Sequence, residues 1–328
     1  MSQLYPFLMI PIFDERPWGV RDLRPVYNKV VNEPIGESWL TWEDNRVANG
    51  PLAGQSLGDL AKKYGRDLVG TAAPYDNRFP LLIKFLFPGD KLSVQVHPDD
   101  AGARKYGQPY GKTECWYVLR AEPGAQVALG LKPGVTLEEF RKSIEETSAE
   151  QLLNWTDVYA GDVLYVAAGT VHTIGGGMVL VETQQTSDIT YRLYDYGRPR
   201  ELHIEKGLEA VNLHTNAGKV LRSADPGSDV LVRSPFFQVE QMRPRESLRA
   251  QVSPDSPHIL VAVNGAGVVE ADGMEPVSFA TGDAVVIPAS VSEYSVRPQW
   301  ALDVMRMSVP SGPVPPPHTE LTQSVSMG

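Results

Sequence analysis

The stretch LSVQVHPDD, residues 92–100, sets Val94 and Val96 in alternation with Ser93, Gln95 and His97 before Pro98 ends the pattern. Successive side chains of a strand point to opposite faces. Ser93, Gln95 and His97 therefore share one face, about 7 Å apart from one to the next, and the two valines share the other. A hydroxyl, an amide and an imidazole in one row mean that this face meets water or lines a polar cavity. The segment predicts a half-buried strand whose polar face is a candidate for ligand chemistry.

Similar short runs fill the chain: LLIKFLF (81–87), ECWYVL (114–119), DVLYVAAG (162–169), MVLVETQQ (178–185), HILVAVNG (258–265) and DAVVIPAS (283–290). With 29 Gly and 27 Pro separating them, they predict an all-β sandwich or barrel protein. Two segments carry helical spacing after a Ser or Thr cap, SLGDLAKKYGRDLVG (56–70) and TLEEFRKSIEETSAEQLLNW (136–155), and are expected as helical insertions. The last 20 residues, from VPSGPVPPPH onward, are too rich in proline to join a sheet.

An internal echo is visible. ECWYVLR followed by AGDVLYVAAGTVHTI is matched by HILVAVNG followed by TGDAVVIPASVSEYSV. Superposing the Gly161-Asp162 and Gly282-Asp283 turns sets His172 on Glu293 and Glu114 near His258. The second copy has no counterpart of QVH, so it is expected to be a structural duplicate without a metal.

The bulk numbers exclude several classes. At 328 residues, 42% apolar and 21% charged, the chain can bury a sizeable core in one large or two ordinary domains. A net charge of −10 argues against nucleic acid and anionic membranes as partners. The start MSQLYPFLMIP lacks the basic n-region and long apolar core of a signal peptide, so a cytoplasmic location is expected. Cys115 is the single cysteine, which leaves histidine, carboxylate and amide groups as the only metal ligands. Nothing in the sequence fixes an oligomeric state.

Four side chains form the candidate ligand set: Gln95 and His97 from QVH, Glu114 from GKTECW and His172 from GTVH. Strands that bring them together would present nitrogen and oxygen donors suited to zinc or another borderline divalent ion. Lys84 interrupts the apolar LLIKFLF, so its ammonium must reach a cavity, an anion or the surface. In SDITYRLYDYGR, alternation sets Asp188, Thr190, Arg192 and Tyr194 on one face, and Glu182 in LVETQQ extends the acidic set.

With LSVQVHPDD, GKTECWYVL, GTVH and QQTSDITYRLYDYGR in this order, the chain resembles the short bacterial type I mannose-6-phosphate isomerases of the cupin superfamily. IGESW (35–39) and RELHIEKGLEAV (200–211) also fit, and the resemblance spans residues 8–300. It departs at LTWED (40–44) and in the Pro-rich tail. The resemblance implies two cupin-type jelly-roll domains: a catalytic metal-binding domain over 1–220, and a degenerate copy over 221–328. It implies one zinc ion per chain, other divalent metals being possible, held by His97, Glu114, His172 and Gln95. Short-form members can replace the glutamine by water.

The same resemblance gives the phosphate to Ser93 and Lys84 and the catalytic arginine to Arg192. Asp188 and Glu182 are its acidic neighbours, and Lys112 matches a lysine that handles substrate. The implied activity is interconversion of mannose 6-phosphate and fructose 6-phosphate through a cis-enediol or enediolate. Arg192 would contact the enediolate oxygens, and Glu182 is the first choice for the proton shuttle, with Lys112 or a zinc-bound water as rivals. Two other readings remain at this stage: an iron-dependent cupin oxygenase, and a non-catalytic cupin that binds a sugar phosphate.

Overall fold

The computed structural model describes residues 4–72, 77–221 and 229–320, so the last eight residues of the Pro-rich tail lie outside the described residues. Packing divides the chain into two compact units, one of residues 1–15, 21–85 and 222–316, the other of residues 16–20, 86–221 and 317–328. This differs from the expected division into 1–220 and 221–328. The reason is in the pairing: Phe7–Ile10 lies antiparallel to Ala284–Ile287, so an N-terminal strand completes the sheet of the C-terminal half. Both units are strand-rich and carry only short helices, as the all-β reading with helical insertions expected. Among the described residues no helix is long and apolar enough to cross a membrane.

The unit containing residues 222–316 is built on a nine-stranded sheet whose central neighbours are Glu293–Ser308, His258–Glu270 and Ala284–Ile287. Leu260, Ala262, Val285, Ile287, Tyr294 and Val304 form its core. The internal echo is visible in the register. Glu114 stands opposite Val166, and His258 stands opposite Ile287, each pairing five residues beyond the glycine of its Gly-Asp turn. The partners of the two counterparts differ from those of Glu114 and His172. His258 Nδ1 lies 3.1 Å from the Tyr294 hydroxyl, beside an Arg306–Glu240 pair joined through two 2.8 Å hydrogen bonds. Glu293, the counterpart of His172, accepts a hydrogen bond from Gln251.

His258 makes the stability of the protein sensitive to acid. Burial, reinforced by the Arg306 charge and opposed by Glu240, pushes its pKa down to about 4. The unfolded chain therefore takes up a proton below about pH 6.5 that the folded chain refuses until about pH 4. The histidine costs nothing above that window and destabilises progressively as pH falls through it. His258→Gln should remove this slope: between pH 7 and 4.5 the wild type is expected to lose about 2 kcal/mol more unfolding free energy than the variant. Denaturant titrations at a series of pH values measure it, and parallel curves for the two proteins would refute it.

The unit containing residues 86–221 consists of two facing antiparallel sheets. One runs Met178–Gln185, Glu114–Ala121, Val163–Val166, Gly218–Val220, Thr319–Glu320; the other runs Tyr191–Tyr194, Val94–Val96, His172–Ile174, Gln126–Leu131, Leu153–Asp157. Trp116, Val118, Leu164 and Leu180 from the first meet Val127, Leu129 and Ile174 from the second in one core. Val94 and Val96 point the other way. They pack with Phe140, Ile144 and Leu208 in a separate outer cluster, where each fully buried side chain contributes about 1.5–3 kcal/mol. The polar face of LSVQVHPDD is thus left to look inward.

The helical insertions are shorter than the spacing suggested. Ser56 caps Leu57–Tyr64 through the Asp59 amide, and Gly65 at φ +50° ends it, with only Arg66–Val69 beyond. Thr136 and Glu139 form a reciprocal capping box on Leu137–Glu145. Residues 153–155, expected to be helical, open the strand Leu153–Asp157 instead, because Trp155 and Thr156 find a ladder partner in Gln126–Leu131. The tail also differs from expectation: Thr319–Glu320 pairs with Lys219 and Val220, just past the last proline, where amide donors are again available.

Candidate functional site

Three neighbouring strands assemble the first part of the site. Gln95 stands directly opposite His172 on one side and opposite Arg192 on the other. Directly opposed residues project to the same face, so Arg192, Gln95 and His172 form a row across the sheet. His97, two residues beyond Gln95, continues the same face. The facing sheet supplies Glu114 and Trp116 along one strand and Glu182 opposite Trp116. Gly111 brings this second group close, because its α-carbon sits so tightly against Pro98 and Asp99 that a Cβ would fall 2.3 Å from the Asp99 carbonyl carbon. A glycine there lets GKTE pass against the HPDD turn, and the Lys112 amide donates to the Pro98 carbonyl at 3.0 Å.

The ligand atoms of His97, Glu114 and His172 all lie within 4.8 Å of one another, and all three residues are buried. His97 Nε2 is 3.6 Å from Glu114 Oε2, and His172 Nε2 is 3.4 Å from Glu114 Oε1. The tautomers follow from the partners. A carbonyl can only accept, so His97 Nδ1 donates to Ile189 O at 2.8 Å and His172 Nδ1 donates to Thr170 O at 2.9 Å. Both rings consequently aim the lone pair of Nε2 at the carboxylate. Burial, opposed by the Thr170 contact and reinforced by Lys112, lowers the His172 pKa to about 4, which keeps the ring neutral near pH 7.

This set fits a divalent metal. Neither oxygen of the buried Glu114 carboxylate accepts a hydrogen bond from any described residue, although Lys112 Nζ lies 3.1 Å from Oε2 in an ion pair of poor hydrogen-bond alignment. An ionised carboxylate in such surroundings is costly unless compensated. Two imidazole lone pairs and one carboxylate match the ligands of a catalytic zinc site with open positions. Histidines that donate their other nitrogen to a carbonyl are the usual companions of such an ion. Gln95 adjoins the cluster differently from expectation. Its amide nitrogen, not its oxygen, faces His172 Nε2 at 3.2 Å, while its oxygen accepts from Ser93 Oγ at 3.2 Å. To act as a ligand it would have to turn its amide.

The remaining candidates are placed as follows. Lys112 and Glu182 are buried, and Trp116 Nε1 donates to Glu182 Oε1 at 3.1 Å. Ser93 is buried beside Gln95. Arg192 is mostly buried, with Nη1 donating to the Glu201 carbonyl at 2.8 Å. Lys84 belongs to the other unit, where its ammonium lies 3.2 Å from Glu37 and 4.1 Å from the centre of the Trp39 ring. Asp188 departs from the alternation argument: it is exposed, in irregular chain before the strand Tyr191–Tyr194 begins. That irregular stretch instead delivers the Ile189 carbonyl to His97. Trp116, whose ring centre is 5.6 Å from that of His172, and Asp195, which gathers arginines behind Arg192, were not singled out from sequence. For Asp195 the acidic-basic motif DYGR was the available signal.

Residues 18–140 match the family Phosphomannose isomerase type I, catalytic domain. The chain is 35% identical over 304 residues to a mannose-6-phosphate isomerase of Streptococcus mutans, covering 88% of this chain and 94% of that protein. It is 33% identical over 312 residues to the mannose-6-phosphate isomerase ManA of Bacillus subtilis, covering 89% and 96%. Among solved structures, it is similar to a Bacillus subtilis mannose 6-phosphate isomerase with a TM-score of 0.82 and 29% identity, over 93% of this chain and 99% of that one.

Proposed function

The chain belongs to the type I mannose-6-phosphate isomerases and is an aldose–ketose isomerase, and from that premise we propose a metal-dependent interconversion of mannose 6-phosphate and fructose 6-phosphate through a cis-enediolate. The observation that carries the metal is the buried Glu114 carboxylate, faced by two imidazole lone pairs and accepting no hydrogen bond from a described residue. His97, Glu114 and His172 would hold the ion, with Gln95 able to join. Zinc suits these donors best. When bound, such an ion supplies Lewis acidity that favours negative charge on the sugar oxygens.

The aldose becomes the ketose when a proton leaves C2 and one is added at C1, while O2 loses and O1 gains a proton. The hard part is charge accumulating on oxygen in the enediolate. Arg192 meets that charge with a planar, permanently cationic fork able to contact both oxygens together. Glu182 moves the carbon-bound proton, held in orientation by the Trp116 indole N–H, and Lys112, 3.1 Å from Glu114 Oε2, is its rival for proton handling. Ser93 hydrogen-bonds the phosphate. Anchoring a remote phosphate places the reacting carbons and lowers the entropic part of the barrier. A phosphorylated sugar does not cross membranes passively, which supports a reaction inside the cytoplasm, where such sugars are made and held.

Metal-loaded protein should turn over mannose 6-phosphate in a coupled assay, lose that activity on dialysis against a chelator, and regain it with zinc. Absence of turnover with either sugar phosphate would end the reading. Ser93→Ala is expected to raise KM about 10-fold with a smaller effect on kcat, the pattern of a lost ground-state contact. A kcat loss at unchanged KM would remove Ser93 from the phosphate site.

A further inference from the structure

Asp195 follows the strand Tyr191–Tyr194 and is 3% exposed. Its backbone carbonyl accepts the Arg198 amide at 3.0 Å, closing a tight turn with Tyr196 at φ +54° and Gly197 at φ +79°. Its side chain then holds the residues that follow. Arg200 Nε and Nη2 each donate to the carboxylate at 2.6 Å, and Arg198 Nη1 donates at 3.3 Å.

This pins the segment 195–203 back over the strand. Two consequences reach Arg192. The Glu201 carbonyl accepts from Arg192 Nη1 at 2.8 Å, and the His203 amide donates to the Arg192 carbonyl at 2.7 Å. The Asp195 carboxylate itself lies 4.0 Å from Arg192 Nε, and that nitrogen is buried without a hydrogen-bond partner among the described residues. Arg198 also donates to Asp90 at 2.7 Å, so the Asp195 carboxylate engages Arg200 most directly and Arg192 least. Arg198 and Arg200 are tied down by direct bonds, and Arg192 is held only from the side.

We propose that Asp195 is a positioning residue for Arg192: through Arg198 and Arg200 it locks the 195–203 loop that aims the catalytic guanidinium, and its charge offsets the repulsion within the arginine cluster. The inference rests on the isomerase reading, in which Arg192 contacts the enediolate. Asp195 acts through Arg192, so its loss should appear in turnover and not in metal or substrate capture.

The test is a double-mutant cycle on the metal-loaded full chain. Turnover of mannose 6-phosphate by the wild type is measured first, and its absence would sink the isomerase reading itself. In an active background, Asp195→Asn should lower kcat roughly 10- to 50-fold, with KM changed less than about 3-fold and bound metal per chain unchanged. With Arg192→Ala already present, Asp195→Asn should alter kcat by less than about 2-fold, because the group it positions is gone. Equal losses in the two backgrounds, or a wild-type kcat in the single variant, would overturn the proposal while leaving the isomerase assignment intact. Should Asp195→Asn not fold, Arg200→Gln carries the same cycle, with a kcat loss of about 5-fold expected only when Arg192 is present. An equal loss in the absence of Arg192 would again overturn it.

Discussion

His172→Ala is expected to yield folded protein that retains almost no metal after dialysis and turns over mannose 6-phosphate at least about 10³-fold more slowly. The magnitude follows from position. Even residues that only orient a ligand typically cost about 10- to 100-fold in metal affinity or activity when removed, and His172 would supply one of three buried donors. Its Nε2 lies 3.4 Å from Glu114 Oε1, and its Nδ1 is committed to the Thr170 carbonyl. Among the described residues, Gln95 adjoins its Nε2 at 3.2 Å but would have to turn its amide to replace it. Metal per chain by elemental analysis, beside a coupled assay with added zinc, checks both arms. A variant holding one ion per chain at wild-type affinity would show that the ion is bound elsewhere.

Arg192→Ala is expected to do the opposite with metal: full occupancy, with kcat lower by about 10²- to 10³-fold. Loss of one donor to developing negative charge commonly costs about 3–4 kcal/mol, and Arg192 lies outside the His97–Glu114–His172 cluster. Arg192→Lys should recover only part of the loss, since a point charge cannot contact two oxygens with a rigid fork. The pair of variants separates the two sources of charge stabilisation. A kcat near wild type for Arg192→Ala would remove the guanidinium from the reaction, and loss of metal would recast it as a structural support.

Legibility differed from residue to residue for physical reasons. Caps at Ser56 and Thr136 were readable because their bonds close within three residues. The length of the second insertion was not, since Leu153–Asp157 becomes a strand only by pairing with Gln126–Leu131. Alternation does not reach back through SDIT, because the strand begins only at Tyr191, and Asp188 therefore leaves the row. The Trp116–Glu182 bond joins residues 66 apart in sequence, and the grip of Asp195 on Arg198 and Arg200 depends on how one loop folds back.

By itself the sequence determined what short-range geometry can carry: a period-two pattern that separates Ser93, Gln95 and His97 from Val94 and Val96, donor types that suit a divalent ion without cysteine, and a motif set shared with one isomerase family. Only the tertiary structure decided which face looks inward, that Arg192, Gln95 and His172 stand abreast, and that two Nε2 lone pairs meet one carboxylate. Side-chain alternation is a property of the backbone over a few residues. Convergence is a property of strand register and of sheets packed face to face, which residues far apart in the chain set together.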